Sequence, residues 1–239
     1  MVELKKLKKG NKEYFYLVHS YREGKDVKKK QLYLGSSIPK GIEEQKRKFV
    51  REFYSEKFLK NIDKIKKKFN AEYNSMPKSA KEKSKENFAI KFTYNSQRIE
   101  GSTLTLKETA ALLEEGISPS SKPIRDAKEA EAHERVFFEM LKYEKNLNLQ
   151  IILKWHRELM QDTKQDIAGK IRNHNVGIVQ SKFIPPMYIE LDILLKEFFD
   201  WYNQEKDKIH PVELAALVHL KFVTIHPFSD GNGRISRLM

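Results

Sequence analysis

Residues 212–237 read VELAALVHLKFVTIHPFSDGNGRISR, and no other stretch of the 239-residue chain leaves folding so few choices. The run VELAALVHLKFVTI is apolar and continuous enough to predict a buried helix. Proline at 227 cannot continue a backbone ladder, so that helix is predicted to end at His226 and a loop to begin. Phe228 reads as the apolar anchor of the loop. The glycine-bracketed turn Ser229-Asp230-Gly231-Asn232-Gly233 follows, and a new helix is predicted from near Asn232. A turn of this kind leaves several backbone N–H groups without intrachain acceptors, which makes a nest for an anion such as phosphate. Arg234 and Arg237 stand three apart, so they share a helix face and can reach one polyphosphate together. Asp230 offers a hard oxygen ligand for the Mg²⁺ that accompanies such a phosphate. His226, with an ordinary pKa near ~6.5, can take a proton at neutral pH. The residues thus describe a polyphosphate cradle with one metal ligand and one base, suited to deprotonating a hydroxyl that attacks phosphorus.

The rest of the chain divides by charge. Residues 1–85 hold 25 Lys and Arg against 11 Asp and Glu, whereas residues 86–239 hold 21 against 22. A block so basic suits a nucleic acid, an acidic partner or an anionic surface, or is a plain lysine-rich solvated face. Within it, EYFYLVHS (13–20) and QLYLG (31–35) flank a polar, glycine-containing linker, the pattern of a hairpin that KKLKKG extends to three strands. Phe49, Phe53, Phe58, Ile62, Ile65 and Phe69 then recur at helical spacing, predicting one long amphipathic helix over 42–72 whose apolar side enters a core. The polar stretch NSMPKSAKEKSKE (74–86) reads as a break and the main boundary.

Beyond it, helices are predicted over 86–98, 105–115, 124–145, 149–161, 187–205 and 211–224. KIRNHNVGIVQSKFIPP (170–186) is predicted as an extended loop or short hairpin. The absence of cysteine excludes a disulfide framework and thiol chemistry and fits a reducing interior. No window approaches the apolar length of a spanning helix, so the expectation is a cytoplasmic protein with no membrane partner. His133, His156 and His174 are spaced too irregularly for a compact metal site, and His219 reads as a helix-packing residue.

HPFSDGNGRISR matches, at every specified position, the HPFx[DE]GNGRxxR motif of the Fic family, and the chain resembles that family over roughly 88–239. The resemblance implies a mainly α fold. It comprises a Fic-type helical domain with a β-hairpin flap, preceded by a small N-terminal β-hairpin or sheet module. Together with the residue patterns upstream, this gives three expected domains: a basic β-module at 1–40, a basic helical linker at 41–86 and, by the resemblance, a Fic domain at 87–239. Members of the family mostly transfer AMP from ATP to a Tyr, Thr or Ser hydroxyl of a target protein. On that resemblance His226 is the catalytic base and Asp230 the Mg²⁺ ligand. ATP would lie on Asp230, Gly231, Asn232, Gly233, Arg234, Ser236 and Arg237. The presence of Gly231 favours AMP transfer over the phosphate transfer of the kinase-like branch.

A second motif, SQRIEGSTLTLKET (96–109), fits the family's inhibitory pattern [ST]xxxE[GN] through Ser96, Glu100 and Gly101. The resemblance places these on an inhibitory helix near 88–100, with Glu100 pairing with Arg237 and blocking the γ-phosphate position. The flap, through Gly169, Arg172, Val176 and Pro185-Pro186, would bring Gln180, Ser181, Lys182 and Phe183 next to the nucleotide and align a target segment by strand addition. The expected partners are the target protein, a nucleic acid or acidic partner of residues 1–85, and a second copy in a homodimer. Two other functions stay open at this stage: removal of AMP from a modified protein by the same pocket, and an adaptor or nucleic-acid-binding role with an inert, nucleotide-sensing Fic domain. The Fic domain also reads as truncated after its motif, since relatives continue the last helix and add another.

Overall fold

A computed structural model of the chain describes residues 2–178 and 181–239. Two compact units divide between Ser75 and Met76.

The first unit opens with a three-stranded antiparallel sheet, β1 (Val2–Lys9), β2 (Lys12–Glu23) and β3 (Asp26–Gly35), in that spatial order. The β2–β3 turn has room for only two residues, and Gly24 at φ 64° supplies the left-handed backbone it needs. Side chains alternate across the sheet, so Leu17 and His19 fall on one face, where both are buried. Against that face lies α1 (Ile42–Tyr54), with the Phe53 ring 4.9 Å from His19 and 4.6 Å from Tyr21. A π-helical turn at Ser55–Leu59 leads into α2 (Lys60–Ser75). The apolar stripe predicted to enter a core does so only in α1, through Phe49 and Phe53. Phe58, Ile65 and Phe69 are exposed, and α2 buries no residue.

The second unit is helical. α3 (Lys78–Ile99) begins about two turns earlier than the sequence pattern indicated, inside the stretch read as a break. Pro77, extended at ψ 158°, occupies its N-cap, a position where the missing N–H costs nothing. The following lysines and glutamates are helix formers whose low hydropathy marks exposure and not a break. α4 (Leu106–Glu115) starts with a capping box between Thr105 and Glu108, worth about 1 kcal/mol. α5 (Ile124–Leu141), α6 (Leu149–Met160), α7 (Leu191–Glu205) and α8 (Pro211–Ile225) follow, with α9 (Asn232–Leu238) after the motif loop. The core gathers Ile152, Trp155 and Leu159 of α6, Leu195 and Phe198 of α7, and Phe222 of α8 around Phe228 and Ile235. Phe228 and Ile235 are fully buried, so the motif loop is bolted to the core at both ends.

The hairpin expected over the flap is not formed: residues 166–178 and 181–187 contain no strand among the described residues. Arg172 replaces ladder pairing there. Its guanidinium donates to the carbonyls of His226 (2.8 Å), His174 (2.9 Å) and Pro186 (2.7 Å), tying both ends of an extended loop to one point. Among the described residues, no helix is long and apolar enough to cross a membrane.

Candidate active site

α8 delivers the chain to His226, which adopts φ 53° and ψ 56°, the one non-glycine residue with positive φ among those described. This conformation costs on the order of 1 kcal/mol and is held from several sides. The His226 N–H bonds to Phe222 O at 3.1 Å, and its carbonyl accepts from Arg172 Nε. The next carbonyl, of Pro227, accepts the Arg172 N–H at 3.0 Å. On the ring, Nδ1 lies 3.1 Å from Val223 O, so it must carry the proton to donate to that carbonyl. Nε2 is thereby left with its lone pair. Burial pushes the His226 pKa below the ordinary histidine value, and the Arg172 charge adds to this. The Val223 bond and the charges of Glu100 and Asp230 oppose it without reversing it. A half-buried, neutral imidazole with a free Nε2 is a competent proton acceptor.

Asn232 closes the loop on itself. Its Oδ1 accepts the Phe228 N–H at 2.9 Å and its Nδ2 donates to Phe228 O at 2.8 Å. His156, on α6, supports the loop from below. Its ring stacks on Phe228 with centroids 3.7 Å apart and planes 3° apart. Its Nδ1 accepts the Gly169 N–H, so Nε2 carries the proton donated to Asp230 O, each at 3.0 Å. Burial drives the His156 pKa down to about 4, and the ring is a neutral strut at physiological pH. Gly231 sits directly over it at φ 79°, where a Cβ would meet His156 Nε2 and Met160 Sδ at 3.2 Å. A side chain at 231 is therefore opposed by the backbone and by the space together.

The two arginines of the motif part company. Arg234, only 2% exposed, is clamped between Glu129 Oε2 (3.0 Å) and Asp230 Oδ1 (3.1 Å). Arg237 faces α3: its Nε donates to Ser96 Oγ at 3.0 Å and its guanidinium pairs with Glu100 Oε1 at 2.5 Å. Ser96 is buried, and Glu100 is the C-cap of α3, with Gly101 at φ 91° turning the chain away immediately after it. Asp126 then receives the Thr103 N–H and hydroxyl at 2.7 and 2.8 Å, which fixes the exit of α3 on α5. A Cβ on Gly233 would lie 2.8 Å from Glu100 Oε1 and 2.9 Å from an Arg237 nitrogen. The ion pair thus lies directly on the backbone of the first turn of α9. That turn has free N–H groups by construction, and Gly231 brings no capping side chain. Ser236 is buried and donates to Gly233 O, while its own carbonyl meets His219 Nδ1 at 2.9 Å.

Asp230 carries a further partner. Its Oδ2 is bonded by Lys164, from the turn after α6, while Oδ1 meets Arg234 and the Gly231 N–H. Burial works to raise this carboxyl, but the Lys164 bond, the Arg234 charge and the Gly231 N–H hold it below the usual carboxylate range. An ionised, half-buried carboxylate suits Mg²⁺, which takes one or two carboxylates and completes its shell with phosphate and water. Lys164 is the group it would have to displace. Among the described residues no three His, Cys, Asp or Glu cluster as a self-sufficient metal site.

Of the flap residues, Gln180 lies outside the described residues. Ser181, Lys182 and Phe183 are exposed, and no hydrogen bond or ring contact among the described residues joins them to the motif loop. Sequence reasoning missed Arg172, His156, Glu129 and Lys164 as parts of the site. Arg172 stood inside a quoted flap pattern and could have been singled out as a buried cation. The other three carry no local signal, since each reaches the loop from 66 or more positions away or, for Glu129, through Arg234.

The helix expected to be buried, α8, buries only Val218, Phe222 and Ile225 and leaves Val212 and Leu220 exposed. An apolar helix that ends at a histidine, a glycine-turned loop, and a carboxylate from a distant helix laid over the next helical turn together define a Fic-type helical domain. The Fic/DOC family matches residues 146–239. A Fic-domain signalling protein from Bacteroides thetaiotaomicron is 30% identical in sequence and superposes with a TM-score of 0.68, covering 74% of this chain and 69% of its own. Fic-1 from Caenorhabditis elegans, residues 134–508, gives 0.66 at 30% identity, over 79% of this chain and 56% of that one. The chain belongs to the Fic/DOC family. In sequence it is 34% identical over 154 residues to the protein adenylyltransferase fic-1 of Caenorhabditis elegans, and 34% over 151 residues to protein adenylyltransferase Fic of Nematostella vectensis. Those alignments take in 62% and 61% of this chain, which spans about a third of the length of these relatives, 30% and 35%.

Proposed function

We propose that the chain is a self-inhibited protein adenylyltransferase, which moves AMP from ATP onto a hydroxyl of a protein. His226 Nε2 takes the proton of the target Tyr, Thr or Ser hydroxyl as its oxygen attacks the α-phosphorus. The bond from that phosphorus to the bridging oxygen breaks, and pyrophosphate leaves. The loop N–H groups at Asn232 and Gly233 receive the phosphates, and Arg237 binds the outermost one once it is released from Glu100. Arg234 acts from below by fixing Asp230 and adding positive charge. Mg²⁺, bound through Asp230, would offset charge on the phosphates; this chain's part is to present one ionised oxygen to it.

The observation that carries this reading is the Glu100–Arg237 pair, resting on Gly233. A carboxylate there repels a terminal phosphate and occupies the arginine that would bind it, so ATP is admitted only in an unproductive pose. Support for a protein as acceptor comes from the relatives, which are named protein adenylyltransferases.

The test is incorporation of labelled AMP into protein from labelled ATP. Glu100→Gly is expected to raise self-labelling by about tenfold or more, the range of an ordinary coupling between two sites. Adding His226→Ala to that variant is expected to lower it by ~10² or more, as for loss of a general base. Equal labelling by the two variants would remove His226 from the chemistry and leave the proposal without its base.

A further inference from the structure

The two faces of the N-terminal sheet treat their cations differently. On the face covered by α1, the basic side chains are matched with acids: Lys6 with Glu13, Lys28 with Glu23, and Lys30 with Glu56, with Lys8 near the β1–β2 turn the exception. The register places Lys5, Lys9, Lys12, Arg22 and Lys29 on the opposite face. All five are exposed, and none forms an ion pair among the described residues. The one acid of that face is Glu3. In their midst Tyr14, Tyr16 and Tyr33 cluster, with Tyr33 6.2 Å from Tyr14 and 5.1 Å from Tyr16 between ring centroids. Tyr33 is 53% exposed and Leu7, beside Tyr14, 52%.

Leaving five like charges unneutralised on one small face costs folding energy through mutual repulsion, while neutralising partners are used on the other. From Lys12 to Arg22 the strand spans about 33 Å, so the charges form a track and not a point. A track of cations around a tyrosine cluster with one ring, Tyr33, exposed is a surface suited to an unpaired nucleic-acid strand, whose phosphates recur along its length and whose bases offer faces to stack. A folded acidic protein or an anionic membrane matches the charge but does not repeat an anion and a stackable ring together along an extended line. We propose that this open sheet face is a binding surface for single-stranded nucleic acid, with phosphates on the five cations and a base stacked on Tyr33. The inference is independent of AMP transfer, since no residue of the motif loop takes part.

Fluorescence anisotropy of a labelled oligothymidylate of about 15 nucleotides with the full chain tests it. The logarithm of the binding constant is expected to fall against log salt with a slope of about −3.5, for five phosphates neutralised on a single strand. Changing Lys5, Lys9, Lys12 and Lys29 together to Gln is expected to weaken binding about a hundredfold and to reduce the slope to about −0.7. Changing Lys64, Lys66, Lys67 and Lys68 of α2 to Gln removes the same charge and should alter affinity by no more than about threefold. Tyr33→Ala should cost about tenfold and Tyr33→Phe very little, because stacking needs the ring and not the hydroxyl. Equal weakening by the two quadruple variants would overturn the surface assignment. Tighter binding of a duplex of mixed sequence, or displacement of the strand by an equal charge of polyglutamate, would overturn the choice of ligand.

Discussion

Two halves of the 226–237 loop are restrained by different kinds of force. One half is fixed by buried, short-range hydrogen bonds: Asn232 to both polar groups of Phe228, the neutral His156 ring to Asp230 O, and Arg172 to the carbonyl of His226. These bonds tie the loop to itself, to α6 and to the Arg172 segment at several points, so the half that carries the histidine is a rigid frame. The other half is held by ion pairs that remain partly open to solvent: Asp230 with Lys164, side chains 30% and 40% exposed, and Arg237 with Glu100, 19% and 27%. Exposed pairs are cheap to open, and polyphosphate or a divalent cation offers either partner a stronger contact. The difference teaches where this site is built to hold still and where it is built to exchange partners.

The largest effect should come from breaking the rigid half. Asn232→Ala strands the Phe228 N–H and carbonyl in the core and is expected to cost about 3 kcal/mol, read as a lower urea midpoint at unchanged slope. A loss below about 0.5 kcal/mol would mean that the loop does not depend on its own closure.

On the exchangeable half, Glu100→Gly should leave stability within about 1 kcal/mol of the parent while raising self-labelling as described above. That split between large activity and small stability effects is what separates a gate from a strut. If melting temperature and labelling fell together, Glu100 would belong with the frame.

A smaller change is expected at the other ion pair. Lys164→Met removes the ammonium from Asp230 Oδ2, so binding of Mn²⁺ in place of Mg²⁺, read by electron paramagnetic resonance without ATP turnover, should tighten about threefold to tenfold. Unchanged or weaker binding would show that Lys164 does not compete for that oxygen.

The smallest effect is the pH response of the frame. Burial lowers the folded-state pKa of His156 to about 4, and burial together with the charges of Arg237 and Arg234 lowers that of His133 to about 3. Both lie below the unfolded value near ~6.5, so as pH falls the unfolded chain takes up protons first and the native state loses ground. Their contribution is complete above ~6.5 and fades toward 4 and 3, at about 1 kcal/mol for each between pH 7 and 5.5. Thermal melts over that range should show a shallower pH dependence in His156→Gln than in the parent. Parallel melting curves would remove His156 as a source of the response.

Much of the fold was legible because it rests on local rules. The end of α8 at His226-Pro227, the restart at Asn232 and the three-stranded order of the basic module follow from proline, glycine and period-two patterning. Two readings failed for identifiable reasons. The polar stretch 74–86 reads as a break because its hydropathy is low, yet helix formation tolerates fully solvated turns and α3 runs through 78–86 once Pro77 starts it. The hairpin that the resemblance implied for the flap is not formed among the described residues, where the extended-loop alternative holds. There Arg172 bonds the His174 and Pro186 carbonyls of the flap and the His226 carbonyl of the motif loop. Similarly, Arg234 and Arg237 share spacing but not surroundings, because Glu129 arrives from α5 and Glu100 from α3.

By itself the sequence determined the chemistry available in the loop: one histidine, one aspartate, glycines that bracket a tight turn, and two arginines. It also determined that charge is segregated between the basic first part and the balanced remainder, since both are properties of order and composition along the chain. The pair of Glu100 with Arg237 was already implied by the family motif, but only the tertiary structure decided the other partners of the loop. Lys164 comes to Asp230 across 66 residues and His156 to the same loop across 74. Such pairings depend on how helices cross in the core. They leave no periodic trace in the sequence, because a contact between distant elements constrains two positions and nothing between them.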